Sequence, residues 1–228
     1  MRAVVYAATR NLYRDMLPSI KSLLLNNWID KVYLLIEDDT FPYYLPPCCE
    51  TINVSGQQYF HQDSPNINNR WTWMVLMRAA LPFVFPNLDR VLSLDCDTIV
   101  TTDISELWDL PLDDYYFAAC REPATSAGGA QCRQPLYCNM GVSMFNLKKL
   151  REDGAAKEVI SLLNRRKLPF PEQDALNIIC QSAILPISAK YNKAECTEPV
   201  GYAKIIHYAA IRDWIDKPLV QEYARRSF

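Results

Sequence analysis

The chain has 228 residues, 50% of them hydrophobic, with 24 basic and 26 acidic side chains and a formal net charge of −2. A chain of this size can bury roughly 70% of its unfolded surface in one core, and its near-neutral balance argues against the basic face that general nucleic-acid binding needs. The text enters a strand-like segment at once and holds no apolar run of the ~18 residues a membrane span needs. Neither a signal peptide nor a span is expected, and the expected location is the cytoplasm. The eight cysteines are scattered without a Cys-x-x-Cys pair. That pattern suits reduced thiols rather than zinc, although an even count leaves disulfides open.

In chain order, residues 3–8 read as a short buried strand and 12–26 as a helix, with Leu17, Ile20, Leu23 and Leu24 at helical spacing. Pro18 marks a late start or a kink. Lys31–Ile36 is the next strand. The stretch 37–69 is irregular, with one further strand around 50–54. Residues 71–84 read as a helix, Arg90–Leu94 and 115–120 as strands, and the Gly/Ser/Ala-rich stretch 124–130 as a mobile loop. A turn at Asn139–Gly141 then leads into a strand over 142–145. Helices over 148–164 and 173–181 precede strands near Ile184–Ile187 and 204–208. No linker divides the chain. The alternation predicts one α/β domain over residues 1–228 with a mostly parallel sheet.

The sharpest motif is Asp95-Cys96-Asp97, directly after the apolar strand ending at Leu94. In extended backbone, residues two apart point to the same side. Two carboxylates held that close repel, and a hard divalent cation that also binds substrate phosphates relieves them. A solvated turn is the plainer alternative for an isolated match. The first strand–helix junction, Ala7 to Tyr13, has no glycine and so cannot wrap a pyrophosphate as a Gly-x-Gly-x-x-Gly loop does. Its backbone amides, the Thr9 hydroxyl and the Tyr13 ring suit the base and ribose of a nucleotide. They equally suit a helix cap at Thr9 or Asn11 with a packed tyrosine.

Taken together, the Ala-Thr-x-x-x-Tyr start, Arg78, Asp95-Cys96-Asp97, Asn139-Met140-Gly141-Val142, Glu172-Gln173-Asp174, and His207-Tyr208 with Trp214 resemble the glycogenin-like retaining glycosyltransferases of family 8. The resemblance spans residues 3–214. It implies a GT-A fold, a Rossmann-like α/β domain with a mostly parallel mixed sheet, and transfer of a hexose from a UDP-sugar with Mn²⁺, or Mg²⁺ in its place. Asp95, Asp97 and His207 correspond to the metal ligands. Ala7, Thr9, Tyr13, Asp95 and Cys96 correspond to the nucleotide contacts. Arg78, Asn139, Gly141, Glu172 and Gln173 correspond to the sugar contacts, with Glu122 as a further acidic contact. Gln173, near the anomeric carbon, and Arg78 are the residues expected to act in catalysis.

After His207 the chain departs from the family pattern. Ala210 stands where a glycine is usual, and the Lys-Pro pair before Trp214 is missing, although Lys217-Pro218 follows it. Arg212 is the expected replacement for the diphosphate lysine, since a guanidinium chelates phosphate oxygens; Lys217 is the rival. Glu172 replaces the family's aspartate. Retention is expected to proceed by front-face attack, because Gln173 is a poor nucleophile. Two other classes fit parts of the text. A haloacid dehalogenase-type phosphatase shares strand-Asp-x-Asp, though usually at the start of its fold. A sugar-nucleotide binder with little catalysis would fit the altered loop. The acceptor, whether glycan, lipid-linked or protein, is not legible. Arg225 and Arg226 between Tyr223 and Phe228 leave peripheral membrane contact open, but the end of a soluble helix explains them as well.

Overall fold

The structure is a computed structural model that describes residues 1–123, 136–193 and 202–228. The stretch 124–130, expected to be a loop, lies outside these residues. Strands β1 (Ala3–Ala7), β2 (Lys31–Ile36), β3 (Cys49–Asn53) and β4 (Arg90–Leu94) run parallel in the order β3-β2-β1-β4. Strand β7 (Cys138–Asn146) then pairs antiparallel with both β4 and β6 (Phe117–Arg121), and β8 (Ile184–Ile187) pairs parallel with β6. The seven-stranded sheet therefore has one strand, β7, against the grain. The sequence split this strand: Asn139 and Gly141 are inside β7, not in a turn before it.

The strands alternate their side chains between two cores, as a sheet covered on both faces requires. Ala3, Val5, Val91, Phe117, Ala119 and Phe145 face one core. Val4, Tyr6, Leu92, Leu94, Ala118 and Met144 face the other. The first core is closed by helices α2 (Met77–Val84), α3 (Leu147–Glu152), α4 (Ala155–Arg165) and α5 (Pro171–Ile179). The second is closed by α1 (Leu17–Asn26), through Ile20 and Leu23, and by the segment carrying Ile104, Leu107 and Leu112. Helix α6 (Pro218–Arg225) packs Val220 and Tyr223 with Ile99 and runs beside α1.

Local chemistry sets the helix bounds. Pro18, Pro171 and Pro218 each lie in a first turn, where the missing N–H has no partner to lose. So α1 starts at Leu17 rather than at residue 12, and Arg10–Leu12 forms only a 3-10 turn. The expected helix over 71–84 is instead a 3-10 turn, Trp73–Leu76, followed by α2. The one expected over 148–164 is broken into α3 and α4 by Gly154, whose φ of 75° belongs to the left-handed region. A short antiparallel pair, β5 (Thr98–Val100) with β9 (Ile205–His207), stands beside the main sheet. Three residues are too few for periodicity to reveal, and β5 went unread.

Strand order reverses at β1. The chain steps outward through β2 and β3, then crosses back to lay β4 on the other side of β1. In such sheets the crevice beyond the carboxyl ends at this reversal is where ligands bind. Asp95 follows β4 at that point. Among the described residues no helix is long and apolar enough to cross a membrane.

Candidate active site

The Asp-x-Asp motif is not extended. Asp95 leaves β4 and the chain turns through Cys96 and Asp97 into β5, with the Thr98 hydroxyl donating to the Asp95 carbonyl at 2.8 Å. This corrects the expectation of a strand-like pair: a tight turn, not strand alternation, gathers the carboxylates. A buried hydroxyl chain fixes the turn, since Thr98 Oγ1 also meets Ser19 Oγ at 2.9 Å and Ser19 meets the Tyr6 hydroxyl at 3.1 Å. His207 arrives from the end of β9, whose pairing with β5 sets Thr98 opposite it. Its Nε2 lies 3.2 Å from Asp97 Oδ1 and 3.5 Å from Asp95 Oδ2. One ligand atom from each of Asp95, Asp97 and His207 falls within 4.8 Å of the others, so a single cation fits between them. One imidazole with two carboxylates is a donor set that suits Mn²⁺ or Mg²⁺.

The electrostatics favour a cation at this point. Burial alone would raise the Asp95 pKa, but Arg78 and His207 hold it below the ordinary carboxylate range. Burial likewise works against a charged imidazole, yet Asp97 and Asp95 raise the His207 pKa to about 10. Without a metal, then, a proton on the ring supplies the positive charge that the two carboxylates demand.

Gly141 explains the close approach of His207. A Cβ at Gly141 would lie 2.1 Å from His207 Cε1, and the Gly141 carbonyl accepts the Asp95 amide at 2.8 Å. Gly141, expected as a sugar contact, here admits the imidazole. Asn139 Oδ1 accepts from the Gly141 amide at 2.9 Å and from Asn192 Nδ2 at 2.8 Å, and Asn192 Oδ1 meets His207 Nδ1 at 2.8 Å. Asn192, 2% exposed, was missed in the sequence. It follows Tyr191 with no motif or periodicity to flag it.

Arg78 is buried and bridges two acids. It pairs with Asp95, donates to Glu172 Oε1 at 2.6 Å, and reaches Ser93 Oγ at 3.3 Å. Burial pushes the Glu172 carboxyl up to about 7, with Arg78 opposing and Asp95 adding to the rise. Gln173 is held by both ends of its amide: Oε1 accepts from the Met140 amide and Nε2 donates to the Tyr137 hydroxyl, each at 3.1 Å. Tyr137 in turn donates to Asp174, whose other oxygen accepts from the Phe170 amide at 2.9 Å. Glu122 follows β6, and its Oε2 is buried without a hydrogen-bond partner among the described residues.

On the nucleotide side, Ala7 ends β1 and its carbonyl accepts a weak bond from Cys96 Sγ at 3.6 Å. Burial and the flanking aspartates push the Cys96 thiol up, so it stays neutral. Thr9 opens the 3-10 turn without a side-chain cap; its hydroxyl donates to Asn11 Oδ1 at 2.7 Å. Tyr13 does not present the open ring face expected for stacking. It is 1% exposed, its hydroxyl accepts from the Glu37 amide at 2.8 Å, and the Phe41 ring lies 5.1 Å away, tilted by 45°. The loop after His207 hangs from the Asp95–Asp97 turn, because the Tyr208 amide donates to the Asp97 carbonyl at 3.0 Å. Ala210 takes a φ of 60° there, the conformation a glycine adopts freely. Arg212 is exposed, whereas Lys217 is half-buried and leads into α6.

Comparison with known proteins agrees with this geometry. The family profile of "Glycosyl transferase family 8" matches residues 3–214. Glycosyltransferase GlyE of Streptococcus pneumoniae serotype 4 is 29% identical over 84% of this chain and 47% of its own length. General stress protein A of Bacillus subtilis is 26% identical over 69% of this chain and 56% of its own. The chain spans between 32% and 47% of the length of three curated glycosyltransferases it matches. The GlyE crystal structure superposes with a TM-score of 0.72 over 99% of this chain and 60% of that one, at 23% identity. Galactosyltransferase LgtC, in complex with donor and acceptor sugar analogs, does so with 0.71 over 97% of this chain and 95% of that one, at 18% identity. These neighbours carry the GT-A fold, and the sheet described above is that fold. On the profile match over nearly its whole length, this chain belongs to glycosyl transferase family 8.

Proposed function

We propose that the chain transfers a hexose, glucose or galactose, from a UDP-sugar to a glycan, lipid-linked or protein acceptor, with retention at the anomeric carbon. The observation that carries this reading is the convergence of Asp95, Asp97 and His207 on one point at the sheet's reversal, with Arg78 directly behind it. Those three residues would hold Mn²⁺, or Mg²⁺, which offsets charge on the diphosphate as the leaving group departs. Arg78 adds fixed positive charge from the protein side, where preorganised electrostatics act most strongly. Ala7, Thr9 and Cys96 border the base and ribose, beside the Tyr13 ring. Arg212 closes over the diphosphate, while Asn139, Gly141, Glu172 and Glu122 surround the hexose.

Gln173, clamped between β7 and Tyr137, borders the anomeric carbon without supplying a nucleophile. In the front-face course the bond from the anomeric carbon to the phosphate oxygen breaks, with its electrons leaving on UDP. The acceptor oxygen bonds to the same face, and its proton passes to a phosphate oxygen of the UDP. The reaction takes place in the cytoplasm. A phosphatase of the haloacid dehalogenase type does not fit a family 8 chain whose Asp-x-Asp follows the fourth strand.

The test is UDP release from a panel of UDP-hexoses with Mn²⁺, with and without added acceptors. Turnover with one UDP-hexose, abolished by EDTA and by Asp97→Ala, supports the reading. Full turnover in chelator overturns the site. Binding with neither hydrolysis nor transfer converts the chain to a sugar-nucleotide binder.

A further inference from the structure

We propose that Asn192 is a positioning residue that seats His207 for metal ligation, keeping the proton on Nδ1 and leaving Nε2 to the Asp95–Asp97 pair. This inference rests on the metal reading of the site and adds a residue to it. The direction of every bond follows from one group that can only donate. The Gly141 backbone N–H points at the Asn139 side chain at 2.9 Å, so the atom it meets must be the oxygen. That same oxygen lies 2.8 Å from Asn192, so Asn192 must offer its amide N–H there. The Asn192 oxygen is thereby turned to His207 Nδ1 at 2.8 Å, and an oxygen acceptor requires Nδ1 to carry a hydrogen. With Nδ1 committed, Nε2 is the nitrogen that faces the carboxylates, at 3.2 and 3.5 Å.

The seat is built rather than incidental. Asn192 is 2% exposed and His207 4% exposed, so water does not compete for these bonds. The backbone just after it is fixed to β9: the Lys193 amide donates to the Ile205 carbonyl at 2.9 Å, and the His207 amide donates to the Lys193 carbonyl at 2.8 Å. Gly141 closes the other side of the ring, where any Cβ would collide with it. A metal-bound histidine whose other nitrogen is committed in this way keeps both tautomer and orientation, and loss of such a partner weakens metal binding. The relay also ends on Asn139. Its oxygen accepts from both the Gly141 amide and Asn192 Nδ2.

The experiment reads the ring proton and the metal separately. The chain has two histidines, and His61 is exposed, so in protein labelled with ¹⁵N-histidine a ring N–H slow to exchange belongs to His207. Metal-free wild type should show two such protons, and the one correlated to Nδ1, not the Nε2–H facing the carboxylates, is the reporter. Asn192→Ala should lose it, and Asn192→Asp, which keeps an acceptor oxygen, should retain it. Mn²⁺ titrated without donor and followed by electron paramagnetic resonance should bind about 10- to 100-fold more weakly to Asn192→Ala than to wild type. Asn192→Asp should stay closer to wild type. A protected Nδ1–H that survives in Asn192→Ala, or unchanged Mn²⁺ affinity in that variant, overturns the proposal; the Nε2–H facing Asp95 and Asp97 is expected in both proteins. A wild type that shows the protected proton but binds no Mn²⁺ supports the seat and overturns the metal reading.

Discussion

At the scale of single residues, Arg78 and Glu172 carry the clearest consequences. Arg78→Ala would leave Asp95 and Glu172 facing each other across a buried gap with no cation between them. Breaking a buried pair in this way costs about 3 kcal/mol here, at the low end because Asp95 keeps some contact with water. Urea unfolding of the variant should show that loss, and turnover should fall with it. Glu172 sets a pH dependence. Its folded pKa of about 7 exceeds the ordinary 4.5, so the folded protein binds this proton more tightly than the unfolded chain does. The contribution to stability is therefore fully present below about pH 4.5 and is lost as pH rises through about 7. Glu172→Gln should flatten that decline by up to about 3 kcal/mol, measured as urea midpoints across the same range in both proteins.

At the scale of elements, legibility followed length and periodicity. Strands β1, β2 and β4 are apolar runs between turn residues, and their positions could be read directly. Strand β7 was split because Asn139 and Gly141 look like turn residues in isolation. They are strand residues because the strand has a histidine ring to admit and an asparagine relay to anchor, and both partners lie far along the chain. The Asp95, Asp97 and His207 cluster and Arg78 were legible through ordered motifs. Asn192 was not, because a buried asparagine after a tyrosine has no local signature. Nor was the covering of Tyr13, since Phe41 reaches it from the loop after β2. The buried chain from Tyr6 through Ser19 to Thr98 was likewise invisible, since each hydroxyl comes from a different element. Thr98→Val keeps the shape but removes the hydroxyl that holds the Asp95 carbonyl. It should cost about 1–2 kcal/mol in urea unfolding and should weaken Mn²⁺ binding, because the turn that gathers the carboxylates loses its tie.

At the scale of the whole molecule, the topology explains why these side chains meet at all. Reversal at β1 opens a crevice beside the end of β4, the antiparallel β7 brings Asn139 and Gly141 up to it, and the β5–β9 pair returns His207 from far along the chain. Two consequences separate this account from a generic nucleotide fold. Arg212→Ala should lower turnover far more than it lowers stability, whereas Lys217→Ala should do little. A damaging Lys217→Ala with a silent Arg212→Ala would mean the loop after His207 meets the diphosphate through the lysine. The most direct test of the central claim is calorimetric titration of UDP into wild type and Asp97→Ala, each with Mn²⁺ and again with EDTA. UDP should bind wild type in Mn²⁺, and binding should be lost both in chelator and in the variant. Equal UDP affinity in all four titrations would contradict the claim.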